Sequence, residues 1–293
     1  MKKILITGAG QKSFIGRNLK EALQGTYMIF APGHGELELL NYKALESFVK
    51  INKVDIIIHA AIHVPLFNGS EKEYFNDMQM FLNIEKISFF VEKVLYFGSG
   101  AEYNKANDIC MVKEEMIGNS IPITEYGLAK YTMNIIARQS VNIYNLRLFG
   151  IFGKYELWEL KFISNLCCKA ICNLPLTIRK DCSFDFLYID DLVTIVKWFL
   201  ENIPEYHDYN VCYGKPYLLT ELAALVKEIS LTNQDIVLLD EQKNLDYTAD
   251  NTRLRNELHG FTFISMQTAI KELYEYYLMN KRLINFEILR KSE

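Results

Sequence analysis

The chain has 293 residues, 50% of them hydrophobic, and a formal net charge of -4. With ~150 residues per domain as a guide, this length fits one large domain or two, with a substantial core. The charge balance gives no reason to expect nucleic acid or an anionic membrane as a partner.

No segment suits a membrane or an export signal. No apolar run reaches the ~18 residues that a membrane helix needs. The apolar start after Met1 breaks at Thr7-Gly8, so it is too short for a signal peptide. We therefore expect a cytoplasmic protein.

The cysteines form no C-x-x-C pair. Cys168 and Cys172 fall one helical turn apart, but no histidine lies nearby to complete a ligand set. We expect reduced thiols and no bound metal. The chain's six cysteines are Cys110, Cys167, Cys168, Cys172, Cys182 and Cys212.

The chain begins with a pattern typical of dinucleotide binding. A short apolar strand, a glycine-containing turn and a helix are predicted over residues 3–6, 7–16 and 17–23. Glycines let the backbone approach a pyrophosphate, and the helix N-terminus attracts its charge. Gly8 and Gly10 fit the G-x-G-x-x-G pattern, whereas Gly16 comes later than the pattern asks. A purely structural turn is the alternative.

The next segments alternate between strand and helix. Strands are predicted at 27–30, 55–61, 93–99 and 142–147, and helices at 45–49, 75–87 and 126–139. This alternation predicts an α/β fold with a doubly wound parallel sheet, the Rossmann arrangement.

After Gly153 the pattern is less regular. Residues 156–174 are predicted as largely helical, 176–179 and 184–189 as strands, and 192–200, 221–229 and 268–279 as helices before a loose charged tail. Asp190 and Asp191 are expected to cap the helix at 192–200. We expect a dinucleotide-binding Rossmann domain at 1–150. Residues 151–293 are expected to form a smaller, mainly substrate-binding α/β region that partly returns to the Rossmann sheet.

The segment after the second strand bears on the choice of cofactor. Many such folds place an acid there to bind the adenosine ribose of NAD. Here the chain reads Ala31-Pro32-Gly33-His34. An acid would repel a 2′-phosphate, so its absence favours NADP. His34 is either a contact for that phosphate or a solvated loop residue.

Tyr126 and Lys130 stand four residues apart in a predicted helix, which places both side chains on one face. A cation beside a phenol favours the phenolate and lowers its pKa, so Tyr126 becomes suited to proton transfer. An ordinary surface pair is the alternative. Ser99 ends a predicted strand, on the edge where α/β sheets bind ligands.

These pieces together resemble the extended short-chain dehydrogenase/reductase family, in its nucleotide-sugar branch, also described as NAD-dependent epimerases and dehydratases. The resemblance covers nearly the whole chain and is closest to the reductases of nucleotide-linked 4-keto-6-deoxysugars. It rests on Thr7-Gly8 to Gly16, His59-Ala60-Ala61, Gly98-Ser99-Gly100-Ala101-Glu102-Tyr103, Tyr126-x-x-x-Lys130, Leu146-Arg147-Leu148-Phe149-Gly150 and Asp185-Phe186-Leu187-Tyr188-Ile189-Asp190-Asp191.

The resemblance implies a Ser–Tyr–Lys site beside a nicotinamide. Ser99 would orient the reacting oxygen, Tyr126 would be the general acid or base, and Lys130 would lower the pKa of Tyr126 and bind the nicotinamide ribose. An asparagine on the preceding helix, Asn76 or Asn83, would complete the site.

The resemblance also implies binding residues. For the cofactor they are Gly8, Gly10, Ser13, Phe14, Ile15, Gly16, His34, Glu38, Leu39, Ala60, Ala61, Tyr126 and Lys130. For the substrate they are Ser99, Arg179 and Lys154.

The sequence departs from the family's pattern in three places. Ser13 stands where a middle glycine is usual, with extra residues before it, and Phe184 stands where an arginine commonly precedes the Asp-Phe pair. Ser99 is followed by Gly100-Ala101, whereas the family's sugar 4,6-dehydratases carry an Asp-Glu pair that drives loss of water. This last difference argues against dehydration.

The resemblance therefore implies an oxidoreductase that reduces the 4-keto group of a nucleotide-linked deoxysugar with NADPH, as a homodimer. One alternative is an epimerase that holds NAD tightly. A second is a non-catalytic regulatory protein that binds NADP.

Overall fold

The structure, a computed structural model, describes residues 1–62 and 72–291. Its strands are β1 (Lys3–Thr7), β2 (Met28–Phe30), β3 (Ile56–His59), β4 (Lys93–Ser99), β5 (Ile109–Val112), β6 (Ile143–Leu148), β7 (Gly150–Phe152), β8 (Leu176–Lys180), β9 (Ser183–Phe184), β10 (Phe186–Tyr188), β11 (Asp208–Val211), β12 (Tyr217–Leu218), β13 (Ile236–Asp240) and β14 (Tyr247–Ala249). Its α-helices are α1 (Ile15–Leu23), α2 (Tyr42–Asn52), α3 (Lys72–Ile87), α4 (Glu125–Gln139), α5 (Phe162–Ile171), α6 (Ile189–Glu201), α7 (Leu219–Ser230), α8 (Thr252–Glu257), α9 (Met266–Met279) and α10 (Phe286–Lys291). None of the helices in these two ranges combines the length and the apolar character that crossing a membrane requires.

The central sheet has six parallel strands in the order β11-β6-β4-β3-β1-β2. Side chains on a strand point alternately to its two faces. Ile4 and Ile6 therefore enter one hydrophobic cluster with α1 and α6, and Leu5 enters a second with α2, α3 and α4. Helices thus cover both faces of the sheet. The predicted doubly wound α/β fold is confirmed.

The second half of the chain adds smaller sheets and returns once to the central one. β11 pairs with β6 and becomes an edge of the six-stranded sheet. Strands β12, β9, β14 and β5 form a four-stranded sheet, β10 pairs with β7, and β13 pairs with β8. Helices α5, α7 and α9 pack against one another.

Some local expectations are wrong. Helix α5 begins only at Phe162, so the predicted helix at 156–174 is too long. Asp190 and Asp191 do not cap α6, because that helix already begins at Ile189. The Asp191 carboxylate instead accepts the backbone N–H of Ile264 at 3.2 Å. The tail after α9 is not loose as far as residue 291, since α10 buries Leu289.

A buried guanidinium on β6 links the end of β4 to β11 within the central sheet. Arg147 on β6 is fully buried and donates from Nε to Glu102 at 2.7 Å and from Nη2 to Asp208 at 2.8 Å. Arg138 on α4 donates to the same Asp208 oxygen at 2.8 Å. Although burial opposes ionisation, the charges of Arg147 and Arg138 hold the pKa of the Asp208 carboxyl below its usual value. We name Glu102, Arg147 and Asp208 the ion network.

Replacing Arg147 by methionine tests the weight of this network. The substitution leaves the Glu102 carboxylate buried without its cation, so we expect the free energy of unfolding to fall by about 3–5 kcal/mol. Denaturant unfolding of the nucleotide-free protein measures it.

The matched control is Lys2→Met, because Lys2 pairs with Glu92 at 2.7 Å while both side chains are exposed. That substitution should cost no more than about 1 kcal/mol. Equal losses in the two variants would contradict a dominant role for the ion network.

Candidate active site

The glycine turn lies between β1 and β3, where the strand order of the sheet reverses. In open α/β sheets this is the position at which ligands bind. Gly8 has a φ of +70°, and a Cβ there would lie 2.6 Å from the Cα of Ala61. A Cβ on Gly16 would lie 2.2 Å from the carbonyl oxygen of Gly8. Both positions therefore require glycine, and Gly16 allows close packing of the helix although it comes late in the motif.

The outer side of this turn is open. A Cβ on Gly10 would meet no atom within 4 Å, and Gly10 is exposed. Ser13, Phe14 and Ile15 are half-buried at the start of α1, and no side chain caps that start. The first backbone N–H groups of a helix lack partners within it and attract phosphate. These residues therefore fit the pyrophosphate of a dinucleotide.

The loop after β2 brings acids close to the strand end. The Glu36 carboxylate accepts the backbone N–H of Gly33 at 2.7 Å. The His34 side chain is 86% exposed, and its Nδ1 lies 3.2 Å from the Glu38 carboxylate. The sequence around Gly33 suggested a loop without an acid, but Glu36 folds back onto it. The Glu36 carboxylate is therefore engaged by the backbone of its own loop.

Leu39 and Asn83 connect this loop to helix α3. Leu39 is buried, and its carbonyl oxygen accepts from the Asn83 amide at 2.8 Å. The Asn83 oxygen accepts from Gln79 at 2.9 Å. Asn83 is thus engaged in holding the loop. Asn76 lies half-buried nearer the start of α3.

The ends of β1 and β3 meet through a buried polar pair. Thr7 Oγ1 lies 2.8 Å from Nδ1 of His59, and the backbone N–H of Ala61 donates to Thr7 Oγ1 at 3.4 Å. Ala60 and Ala61 follow at the edge of the turn, half-buried. Burial, together with the nearby charge of Lys130, lowers the pKa of His59 to about 3. The imidazole is therefore neutral at ordinary pH.

Tyr126 and Lys130 lie close together beside the end of β4, the strand that Ser99 ends. Lys130 is buried, donates from Nζ to the carbonyl oxygen of Phe97 at 3.0 Å, and lies 5.9 Å from the centre of the Tyr126 ring. Tyr126 is 48% exposed. Ser99 ends β4 two residues after Phe97. A phenol, an ammonium ion and a hydroxyl thus share one end of the sheet.

Local contacts fix this arrangement. Thr124 caps α4 by accepting the backbone N–H of Gly127 at 3.2 Å. A Cβ on Gly127 would lie 2.7 Å from the carbonyl oxygen of Ala101, so α4 packs closely on the turn after β4. Ser99 donates its backbone N–H to the Glu102 carboxylate at 3.0 Å. The ion network therefore holds Ser99 directly.

Sequence reasoning missed Tyr247, which β14 brings to the same place. Tyr247 is buried, and a Cβ on Gly100, the residue after Ser99, would lie 2.4 Å from its hydroxyl oxygen. Lys105 lies over the Tyr247 ring at 4.5 Å from its centre. No local motif marks Tyr247, because its position depends on pairing between β14 and distant strands.

The two predicted phosphate-binding cations lie on β8 and just after β7. Arg179 is exposed on β8. Lys154 pairs with Glu21 on α1 at 3.3 Å. The structure does not bring either side chain into a described contact with Ser99.

The sequence also matches the model of a known protein family. The model of the NAD dependent epimerase/dehydratase family matches residues 4–212. The chain belongs to that family. Membership confirms the resemblance to extended short-chain dehydrogenases/reductases and the prediction of an NAD(P)-dependent enzyme.

The similar proteins span nearly the whole chain. A GDP-L-colitose synthase of Yersinia pseudotuberculosis is 24% identical, over 95% of this chain and 99% of its own. A GDP-6-deoxy-D-talose 4-dehydrogenase of Aggregatibacter actinomycetemcomitans is also 24% identical, over 94% and 98%. Among solved structures, a GDP-mannoheptose C4 reductase from Campylobacter jejuni with NADP bound has a TM-score of 0.80 at 21% identity, over 94% of this chain and 98% of that one.

The neutral state of His59 predicts a pH effect on stability. The unfolded chain takes up a proton below the ordinary histidine pKa of 6.5, whereas the folded chain does so only near pH 3. Stability from this group is therefore lost as the pH falls. Between pH 6.5 and about pH 4.5, the wild type should lose about 2–3 kcal/mol more than His59→Asn.

Denaturant unfolding of both nucleotide-free proteins across this range measures the difference. Around pH 8 imidazole is neutral in both states, so the two stabilities there give the packing cost of the substitution alone. Parallel pH curves would contradict a buried, neutral His59.

Proposed function

We propose that this chain reduces the 4-keto group of a nucleotide-linked deoxysugar with NADPH, and that Ser99, Tyr126 and Lys130 carry the reaction. The observation that supports this most is the position of Lys130. Its Nζ is anchored on the carbonyl oxygen of Phe97, two residues before Ser99, and lies 5.9 Å from the centre of the Tyr126 ring. When bound, the dinucleotide supplies the hydride. The turn from Gly8 to Gly16 would hold its pyrophosphate.

Proton transfer falls to Tyr126. As hydride reaches the carbonyl carbon, the carbonyl oxygen gains negative charge and takes the phenolic proton of Tyr126. The resulting phenolate is stabilised by the ammonium of Lys130. His59 is neutral at working pH, so it adds no second positive charge near Lys130. The cation that stabilises the phenolate is therefore Lys130. Solvent reaches the half-exposed Tyr126 and restores its proton.

Ser99 and Asn76 have supporting roles. The Ser99 hydroxyl would donate a hydrogen bond to the carbonyl oxygen and keep it within reach of Tyr126. Of the two candidate asparagines we choose Asn76 to complete the site, since the Asn83 amide already bonds to Leu39 and Gln79.

Reduction fits the chain better than dehydration. Elimination of water needs carboxyl groups next to Ser99, and the chain has Gly100 and Ala101 there. A Cβ on Gly100 would lie 2.4 Å from the Tyr247 hydroxyl oxygen, so no acidic side chain fits at that position. A keto group that is reduced needs only a hydride and a proton.

The names of similar proteins support the substrate class and the cofactor. The two relatives described above are named for GDP-linked deoxysugars, and the structural neighbour is a C4 reductase with NADP bound. We therefore propose a GDP-linked 4-keto-deoxysugar as the first substrate to test. In this proposal the exposed His34 meets the 2′-phosphate of NADPH, and Glu36 stays bonded to Gly33.

The decisive experiment measures oxidation of NADPH by the purified protein with a GDP-linked 4-keto-6-deoxyhexose. We expect one NADPH to be consumed per sugar, with deuterium from labelled NADPH retained at C4 of the product. NADH should react more slowly. Protein isolated with retained NAD that interconverts C4 epimers would instead identify an epimerase. Binding of NADPH without turnover of any keto-sugar nucleotide would identify a binding protein.

Tyr126→Phe tests the assignment of the acid. Loss of the phenolic proton should lower kcat by roughly 10²–10⁴-fold. Affinity for NADPH should survive, because the glycine turn and Lys130 are untouched.

The matched control is Tyr131→Phe, the same chemical change five residues further along α4. Its kcat should stay near that of the wild type. Full activity in Tyr126→Phe would show that another group supplies the proton.

A further inference from the structure

The Tyr247 ring is fixed next to the end of β4. It is buried, and its centre lies 5.0 Å from that of Phe149 and 4.9 Å from that of Phe184. The hydroxyl end of the ring faces Gly100, where an added Cβ would lie 2.4 Å from the phenolic oxygen. Gly100 follows Ser99 in the chain, so the ring extends outward from the residue next to Ser99.

Lys105 lies over the face of this ring. Its Nζ is 4.5 Å from the ring centre, a distance at which the negative face of an aromatic ring attracts a cation. The contact keeps the ammonium near the ring although the Lys105 side chain is exposed. Because the hydroxyl of the ring lies at Gly100, the ammonium stands about one phenol ring away from the residue that follows Ser99.

The charge of Lys105 is available to a ligand. Among residues 1–62 and 72–291, no carboxylate lies within ion-pair distance of its ammonium. The other lysine at this end of the sheet, Lys130, is buried and donates to the carbonyl oxygen of Phe97 beside Tyr126. Lys105 therefore places beside the site an ammonium that no carboxylate of the described chain neutralises.

The proposed substrate carries its negative charge at a matching distance. In a nucleotide-linked hexose the diphosphate is attached at C1, and C1 lies across the sugar ring from C4. When the C4 carbonyl is at Ser99 and Tyr126, the diphosphate lies about one six-membered ring away. The ammonium of Lys105 is separated from the end of β4 by a similar span, one phenol ring. A lysine ammonium is a compact point charge that donates to phosphate oxygens.

We propose that Lys105 binds the diphosphate of the nucleotide sugar, and that the Tyr247 ring holds its ammonium in place. This inference rests on the proposed reduction and names a residue that recognises the charged end of its substrate. Lys105 takes the role that the sequence assigned to Arg179 and Lys154. It touches no reacting atom, so it stabilises the bound substrate and the transition state equally.

The first test replaces Lys105 by methionine, which removes the charge and keeps an unbranched side chain to pack on the Tyr247 ring. Loss of a charge-assisted hydrogen bond should raise KM for the nucleotide sugar about 10–100-fold. The kcat should stay within about threefold, because the interaction is equally strong before and during reduction. Added salt should raise KM of the wild type more than that of Lys105→Met, since it screens the charge.

The matched control is Lys2→Met, the same chemical change at the opposite end of the sheet. Lys2 precedes β1 and pairs with Glu92, which precedes β4, so it lies far from Ser99. Its KM should match that of the wild type. An unchanged KM in Lys105→Met, or a loss of kcat at unchanged KM, would overturn the proposal.

Binding of nucleoside diphosphates tests Lys105 independently of turnover. Calorimetric titration with GDP, UDP and dTDP, in saturating NADP so that the glycine turn is occupied, measures affinity for the charged half of the substrate. Lys105→Met should bind the tightest of the three about 10–100-fold more weakly than the wild type.

This titration also separates the proposal from the proposed function. If the wild type reduces no keto-sugar nucleotide, the function fails, and weaker diphosphate binding in Lys105→Met still supports the site. Equal affinity in the two proteins overturns the site, even if the wild type is an active reductase. So does a wild type that binds none of the three diphosphates.

Discussion

A guanidinium ion buried in a sheet has to be met by carboxylates, and in this protein that requirement brings three parts of the chain together. Arg147 on β6 bonds to Glu102 after β4 and to Asp208 on β11. Glu102 also accepts the backbone N–H of Ser99. The ion network therefore holds three neighbouring strands at one point. They are β11, β6 and the end of β4, which carries Ser99. Removing any partner leaves an uncompensated charge in the interior.

Much of the first half of the fold was predictable because its signals are local. Continuous apolar strands such as residues 3–6 and 93–99 have few alternatives to the interior of a parallel sheet. The Tyr126–Lys130 spacing fixes a shared helix face, and Gly8 sits where the backbone has a positive φ. Gly16 was expected to be out of register with its motif. It nevertheless packs against the carbonyl of Gly8, because the longer turn brings it back to the same place.

The remainder could not be predicted because it depends on contacts between distant segments. Asp191 looked like a helix cap, but its carboxylate is used by the N–H of Ile264, and the helix starts before it. Tyr247 reaches Gly100, next to Ser99, only through the pairing of β14 with β5 and β9. In each case a tertiary contact overrides or creates what the local sequence suggests.

The contact between Gly100 and Tyr247 also limits how the sequence can change over evolutionary time. A side chain at position 100 and a phenol at position 247 compete for one volume, so the residues at the two positions are coupled. A lineage that acquires a carboxylate at position 100 has to reduce or move the residue at position 247 first. The reverse order passes through a clash next to Ser99. A site like this one therefore changes into a site that eliminates water more readily when position 247 is substituted before position 100.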